Sequence, residues 1–166
     1  MLRLANQDDL PFLKWMLFEA SYVDQDNRPS FDMGLSDPTI AVYLEDWPRR
    51  GDLGLIVTNQ KNAPLGAAWY RLFTVDKPGY GFIDEHTPEI AIALRPDVRG
   101  QGLGSKLLES LIQIARKQGH RQISLAVEHT NPRARRLYER LGFVEVDGNE
   151  EESKMVLDLR QDPAAD

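Results

Sequence analysis

In the middle of the chain, the sequence pattern predicts a strand, a glycine-rich turn and a long helix in succession. The segment Glu89–Leu94 alternates large apolar residues with small or charged ones, which is the period of a β-strand. The segment Gly102–Gln118 repeats apolar residues at helical spacing, and Gln122–Val127 alternates again. This order predicts a β-α-β unit with parallel strands and a right-handed crossover. The amino end of its helix then lies at the carboxyl end of the first strand, and helix amino ends bind anions.

The turn that joins this strand and helix carries glycine at three alternate positions, Gly100, Gly102 and Gly104. Glycine lets the backbone fold tightly and bring successive N–H groups to one point, and the first N–H groups of the helix add to them. This arrangement suits a pyrophosphate, to which Ser105 can add a hydroxyl group. The spacing fits neither a Walker loop nor the G-x-G-x-x-G turn of a dinucleotide-binding fold. A glycine-rich connection without a ligand remains the alternative.

The remaining segments predict a mixed α/β domain of the α+β kind, with the order β-α-α-β-β-β-α-β-α-β-β. The other strands are predicted at Leu2–Ala5, Leu53–Thr58, Leu65–Phe73, Phe143–Val146 and Met155–Leu159. The other helices are predicted after Asn6, from Asp37 to about Trp47, and from Asn131 to Gly142. We expect loops over 24–37 and 74–88. We expect one domain over residues 1–160 and a frayed tail over 161–166.

Composition narrows the classes of function. The chain has 166 residues, enough for one domain, and a formal net charge of -6, which disfavours a nucleic-acid binder. It has no cysteine, and its three histidines lack the spacing of metal ligands, so we expect no metal site and a cytoplasmic location. No apolar run nears the roughly 20 residues of a membrane span. A basic run fits either a solvated helix face or a face toward a phosphate, and it consists of Arg133, Arg135, Arg136 and Arg140.

Two motifs together resemble the GNAT superfamily of N-acetyltransferases. The first, Arg99-x-x-Gly102-x-Gly104, lies between strand and helix and is similar to the acetyl-CoA signature of that superfamily. The second, from Asn131 to Phe143, carries an Asn, an Ala, a Leu-Tyr-Glu and a final Gly-Phe, as the downstream stretch of the superfamily does. The element order over nearly the whole chain agrees. The resemblance implies a GNAT fold, whose central mixed, mostly antiparallel sheet is splayed between strands 4 and 5 and flanked by about four helices.

The resemblance also implies where acetyl-CoA, the acyl donor, binds. Its pantetheine arm would pair with the backbone of the fourth strand at Ile92, Ala93 and Leu94. Asn131 would contact the same arm. The pyrophosphate would lie on the turn and the helix start, which comprise Arg99, Gly100, Gln101, Gly102, Leu103, Gly104 and Ser105.

Two side chains are candidates for moving protons. An alkylamine is protonated at neutral pH, and its neutralisation costs about 4 to 5 kcal/mol, so a base favours the transfer. Glu89, at the start of the fourth strand, matches the position where some members of the superfamily place a catalytic glutamate. Tyr138, two helical turns after Asn131, matches the tyrosine that protonates the departing thiolate. The alternatives are a water-exposed Glu89 with an ordered water as the base, and a Tyr138 that only packs in the core.

The sequence therefore predicts an enzyme that moves an acetyl group from acetyl-CoA to a primary amine of a small molecule, peptide or protein, by direct attack in a ternary complex. The resemblance implies that residues 10–47 and 74–88 hold the acceptor, and the carboxylate excess of this half of the chain favours a cationic amine. A non-catalytic acyl-CoA sensor on the same fold and an enzyme for longer acyl groups stay open, as do a monomer and a homodimer. We expect neither nucleic acid nor a membrane as a partner.

Overall fold

The computed structural model of the chain describes residues 1–160. Within that range the strands are β1 Leu2–Leu4, β2 Leu53–Thr58, β3 Pro64–Arg71, β4 Glu89–Leu94, β5 Gln122–Glu128, β6 Val144–Gly148 and β7 Glu152–Asp158. The helices are α1 Leu10–Ser21, α2 Phe31–Ser36, α3 Pro38–Ala41, α4 Leu103–Lys117 and α5 Pro132–Arg140. Single turns of 3-10 helix lie before α1 at Gln7–Asp9 and after β4 at Pro96–Val98. The predicted tail over 161–166 lies outside the described residues.

The strands form one mixed sheet in the order β1-β2-β3-β4-β5-β7-β6. β4 and β5 are parallel, whereas β1 with β2, β2 with β3, β5 with β7 and β6 with β7 are antiparallel. The parallel ladder is short, because Glu89 aligns with Ser124 and no other register position joins the two strands within residues 1–160. The predicted sheet, mixed and mostly antiparallel with a splay between strands 4 and 5, is thereby confirmed.

The chain packs into two compact units, of which the first comprises Met1–Arg71 and Ala91–Leu111. Asn6 caps the 3-10 turn that precedes α1, because its side chain accepts a hydrogen bond from the Asp8 N–H at 2.8 Å. The apolar stripe of α1 is buried in this unit, and β2 and β3 supply further core residues. The fully buried large side chains here include Leu13, Met16, Ile56, Trp69 and Tyr70. This core anchors α1 and β3, and β4 continues the same unit from Ala91 onward.

The second unit comprises Leu72–Ile90 and, as far as the structure describes it, the chain from Ile112 onward. β5, β7 and β6 supply its antiparallel part, and α5 contacts β5. The loop between β3 and β4 passes close to β5, where a Cβ added to Gly81 would stand 2.6 Å from the Leu125 carbonyl carbon. The Lys154 ammonium donates to the Phe82 carbonyl oxygen at 2.8 Å and fastens that loop to β7. The predicted 74–88 loop is therefore irregular but well anchored.

The predicted helix from Asp37 to about Trp47 is wrong in its length. The Asp37 carboxylate does cap a helix, accepting from the Thr39 N–H at 2.9 Å, but α3 ends at Ala41 and turns follow. Beyond Ala41, the N–H groups of Tyr43 and Leu44 donate three residues back, to the Ile40 and Ala41 carbonyl oxygens at 3.1 Å each, so tight turns replace the four-residue bonds of an α-helix. Val42, Tyr43 and Leu44 are all buried, and their tertiary packing overrides the helical pattern.

The predicted loop over 24–37 is wrong in its second half, which contains α2. The Ser30 hydroxyl caps this helix by accepting from the Met33 N–H at 3.3 Å. Gly34 lies inside the helix, and a Cβ added there would stand 2.8 Å from ring atoms of both Phe18 and Tyr22. Gly34 thus allows the close packing of α2 on α1.

Candidate active site

The turn after β4 has the backbone shape that the glycines predicted. Gly100 and Gly102 both have a φ of 81°, a left-handed conformation that side chains disfavour. The Lys106 N–H donates to the Gly102 carbonyl oxygen at 3.2 Å, so Gly102 is the residue that caps α4. The space beside Gly102 is open, since a Cβ added there would meet no atom within 4 Å. Phosphate oxygens could therefore approach the backbone at this point.

The first N–H groups of α4 are available to such an anion. Within residues 1–160, the N–H groups of Leu103, Gly104 and Ser105 have no hydrogen-bond acceptor. They carry the positive end of a helix of 15 residues. The residues present thus fit a pyrophosphate, and Ile92, Ala93 and Leu94, half-buried on β4, lead directly into this turn.

Arg99 makes a contact that the motif did not predict. Its guanidinium lies 3.5 Å from the Leu94 carbonyl oxygen and 3.5 Å from a carboxylate oxygen of Glu19 on α1. Glu19 is itself buried and also faces Arg28, in the segment after α1, at 3.3 Å. A glutamate directly after the apolar run Met16–Phe18 is the sequence signal that could have indicated this site. Motif reasoning misses it because Glu19 and Arg99 are 80 positions apart.

Glu89 lies in the second unit and is buried, with only 2% of its surface exposed. The alternative of a carboxylate in water at the strand edge is therefore wrong. Its register partner Ser124 is fully buried, and the Ser124 Oγ has no hydrogen-bond partner within residues 1–160. Parallel register partners point to the same face of a sheet, so a carboxyl group and a hydroxyl group share this face. Sequence reasoning found Glu89 and missed Ser124.

Tyr138 lies on α5 in the second unit, with 7% of its surface exposed. Its ring meets the Phe143 ring edge-on at a centroid distance of 6.0 Å. Burial raises the pKa of Tyr138 to about 12, because the charged phenolate is poorly solvated there. The phenol thus keeps its proton at neutral pH and can donate it. Tyr138 is thus a core residue that still carries a proton to donate, so the two interpretations of Tyr138 are compatible.

Asn131 caps α5, since its side-chain oxygen accepts from the Ala134 N–H at 3.2 Å. The Nδ2 group makes no hydrogen bond with any described residue, so it stays available as a donor.

The arginines of the basic run on α5 differ in their contacts. Arg135 forms ion pairs with Glu139 at 3.1 Å and with Glu145 at 3.0 Å. Arg133, Arg136 and Arg140 are exposed and form no ion pair with any residue from 1 to 160.

The candidate residues therefore fall into two groups. Ile92, Ala93, Leu94 and the whole of Arg99–Ser105 are continuous in the first unit, whereas Glu89, Asn131 and Tyr138 belong to the second. In the described part of the chain, no cluster of three or more His, Cys, Asp or Glu residues could hold a metal ion. No helix among residues 1–160 is long and apolar enough to cross a membrane.

Comparison with known proteins agrees with this geometry. The profile of the acetyltransferase (GNAT) family matches residues 19–143, which is most of the chain. The chain therefore belongs to the GNAT acetyltransferase family.

Individual relatives point the same way. The L-methionine sulfoximine/L-methionine sulfone acetyltransferase of Pseudomonas aeruginosa is 37% identical over 101 residues, covering 61% of this chain and 56% of that protein. The L-amino acid N-acyltransferase MnaT of Escherichia coli is 41% identical over 59 residues, covering 36% of this chain and 34% of that protein. YncA of Salmonella typhimurium, a putative acetyltransferase solved with acetyl-CoA, superposes with a TM-score of 0.69 at 24% identity, covering 100% of this chain and 97% of that one. The chain thus spans little more than half of the first relative and shares the fold of YncA.

Proposed function

We propose that the protein transfers an acetyl group from acetyl-CoA to a primary amine, by direct attack in a ternary complex. The observation that carries this proposal is the turn after β4, where two left-handed glycines and three unbonded N–H groups have the geometry that a pyrophosphate needs. Membership of the GNAT family supports the reading of that site as one for acetyl-CoA.

In this proposal the backbone does most of the binding. The N–H groups of Gly100 to Ser105 receive the pyrophosphate, and the main chain of Ile92, Ala93 and Leu94 pairs with the pantetheine arm. The Nδ2 group of Asn131 adds a hydrogen bond to that arm, while its oxygen stays engaged as the cap of α5. Arg99 adds a guanidinium at the start of the turn, which favours an anion there.

The chemistry needs one proton removed and one supplied. The amine nitrogen attacks the thioester carbon, the carbon–sulfur bond breaks, and the sulfur leaves as a thiolate. The Glu89 carboxylate, directly or through a water, takes the proton that the amine must lose. The Tyr138 phenol, protonated because its pKa is about 12, supplies the proton or a hydrogen bond to the thiolate. Burial suits both roles, because a low-dielectric surrounding strengthens charge interactions.

The acceptor in this proposal is the amine of a small amino acid or of a similar molecule. The names of two relatives support this class, since both act on amino acids or their analogues. The exposed carboxylates of the first unit favour the ammonium end of such a molecule and include Asp24, Asp26, Asp32, Asp37 and Glu45. The cytoplasmic location and the choice between monomer and homodimer stay predictions, which cell fractionation and sedimentation would check.

A panel of amines tests the proposed function. Purified protein is mixed with acetyl-CoA, or with a few longer acyl-CoAs, and with amino acids, polyamines and acceptor peptides in turn. Release of free CoA and the mass of the acylated amine are both measured. We expect acetylated amino acids to form in step with CoA. Binding of acetyl-CoA without turnover on any amine would favour the sensor, and faster turnover with longer donors would favour the other alternative.

A further inference from the structure

A buried carboxylate in the first unit lies between two arginines. Glu19, near the end of α1, is only 7% exposed. Arg28 donates to both of its oxygens at 3.3 Å, and the Trp15 ring nitrogen donates to one of them at 3.3 Å. Arg99 reaches the other from 3.5 Å. One negative charge thus faces two positive ones, one on the segment after α1 and one on the turn proposed to hold the pyrophosphate.

The two arginines are held very differently. Arg28 also donates to the Tyr22 carbonyl oxygen at 2.7 Å, and its guanidinium lies over the Phe18 ring, 4.9 Å from the centroid. Arg99 has only its two contacts at 3.5 Å, and 39% of its side chain is exposed. Hydrogen bonds between N–H and oxygen are normally 2.7 to 3.2 Å long, so both contacts of Arg99 are weak. Arg28 is therefore fixed, whereas Arg99 can change partners.

A pyrophosphate would be the stronger partner for Arg99. It carries more charge than one carboxylate, and a guanidinium bonds phosphate oxygens through two parallel N–H groups. Arg99 directly precedes the amides of Gly100 and Gln101, so a short side-chain rotation would suffice. Once Arg99 leaves, Arg28 is the one guanidinium among residues 1–160 that Glu19 still faces.

We infer that Glu19 is a positioning residue that holds Arg99 in the free protein and passes the arrival of acetyl-CoA to the segment 22–30. This inference rests on the proposed function. When Arg99 turns to the pyrophosphate, Arg28 is the guanidinium left to Glu19, so their 3.3 Å contacts shorten. The segment after α1, which Arg28 ties to the Tyr22 carbonyl oxygen, then becomes more ordered. Glu19 therefore opposes acetyl-CoA binding slightly, because it competes for Arg99 and repels the phosphate charge.

Calorimetric titration with acetyl-CoA tests the competition. Glu19→Gln removes the charge and keeps a side chain that can bond to Trp15, so its Kd for acetyl-CoA should fall by about two- to fivefold, the range of a partly exposed ion pair. Glu109→Gln removes the same charge from the exposed face of α4 and should leave the Kd unchanged. The gain from Glu19→Gln should vanish when Arg99→Ala is present, because no guanidinium is left to release.

Hydrogen exchange supplies a second readout. In the parent, acetyl-CoA should slow exchange over residues 22–30, and in Glu19→Gln it should not. If Glu19→Gln folds poorly, Glu19→Asp serves instead, because it withdraws the carboxylate from Arg99 and should also lower the Kd. An unchanged or raised Kd in a folded variant would overturn the inference and leave the proposed function standing. A parent that does not bind acetyl-CoA at all would overturn both.

Discussion

The turn after β4 and the two side chains Glu89 and Tyr138 are proposed to serve one reaction by different means. The turn offers backbone N–H groups, and the Arg99 and Gln101 side chains beside them are exposed. Glu89 and Tyr138 offer single functional groups, with 2% and 7% of their surfaces exposed. Binding and chemistry should therefore be separable by mutation. Changes that block the backbone should weaken acetyl-CoA binding, and changes to one buried atom should slow the transfer.

Glu89→Gln should have the largest effect, a loss of about 10³-fold in kcat at pH 7, within the range typical of general acid–base catalysis. Below the pKa of the amine, each pH unit supplies about tenfold more neutral amine, so the deficit should shrink as pH rises. A pH–rate profile of parent and variant checks this. Parallel profiles offset by less than about threefold would remove Glu89 from the mechanism, and a raised KM at unchanged kcat would make it an acceptor-binding group.

Tyr138→Phe should lower kcat by about 10²-fold and leave acetyl-CoA affinity nearly intact, because it removes a proton donor and keeps the ring. Since burial holds the pKa of Tyr138 at about 12, the phenol stays protonated well above neutral pH. The activity of the parent should therefore show no loss from Tyr138 ionisation between pH 7 and 10. Stopped-flow measurement of CoA release gives the kcat of Tyr138→Phe and the pH dependence of the parent. A variant as fast as the parent would make Tyr138 a packing residue only.

Substitution of the glycines tests whether the backbone of the turn after β4 binds acetyl-CoA. Gly102→Val with Gly104→Val should raise the Kd for acetyl-CoA at least about tenfold, because the bulk keeps phosphate oxygens from the N–H groups and charged hydrogen bonds are lost. Glu109→Val places the same side chain on the exposed face of α4 and serves as the control for helix propensity. Circular dichroism verifies that both variants are folded. Equal affinity in the folded double variant would contradict the backbone site.

Asn131 is proposed both to cap α5 and to bind acetyl-CoA through its side chain. Its substitution should change acetyl-CoA affinity less than substitution of the glycines does. Asn131→Ala loses the cap of α5 and should lower the free energy of unfolding by about 1 kcal/mol. Asn131→Ser keeps a cap and removes the Nδ2 donor, so it should preserve stability and weaken acetyl-CoA binding a few-fold, as loss of one neutral hydrogen bond would. Thermal unfolding and calorimetry compare the two. A serine variant with parental affinity would confine Asn131 to its role as a cap.

The sequence could predict the features that depend on local patterns, and it could not predict those that depend on tertiary packing. β4, the turn and α4 were predicted to within a residue, because alternation, glycines and helical spacing are local signals. The burial of Glu89 was not, since a charged residue at a strand start is ordinarily in water and the neighbouring β5 decides otherwise. The contact between Glu19 and Arg99 depends on packing across 80 positions, which no local pattern encodes. The existence of α2 and the early end of α3 were not predicted for the same reason, because the close approach of Gly34 to α1 and the burial of Val42, Tyr43 and Leu44 depend on tertiary packing, which outweighs local propensity.

Calorimetric titration of acetyl-CoA into the parent, the Gly102→Val/Gly104→Val variant and Glu89→Gln separates donor binding from chemistry in one comparison. We expect the parent and Glu89→Gln to bind acetyl-CoA within about threefold of each other, since β4 is proposed to contact the donor through its backbone. We expect the glycine variant to bind at least about tenfold more weakly. Equal binding by all three proteins, or loss of binding in Glu89→Gln alone, would contradict the division between a backbone that binds and side chains that react.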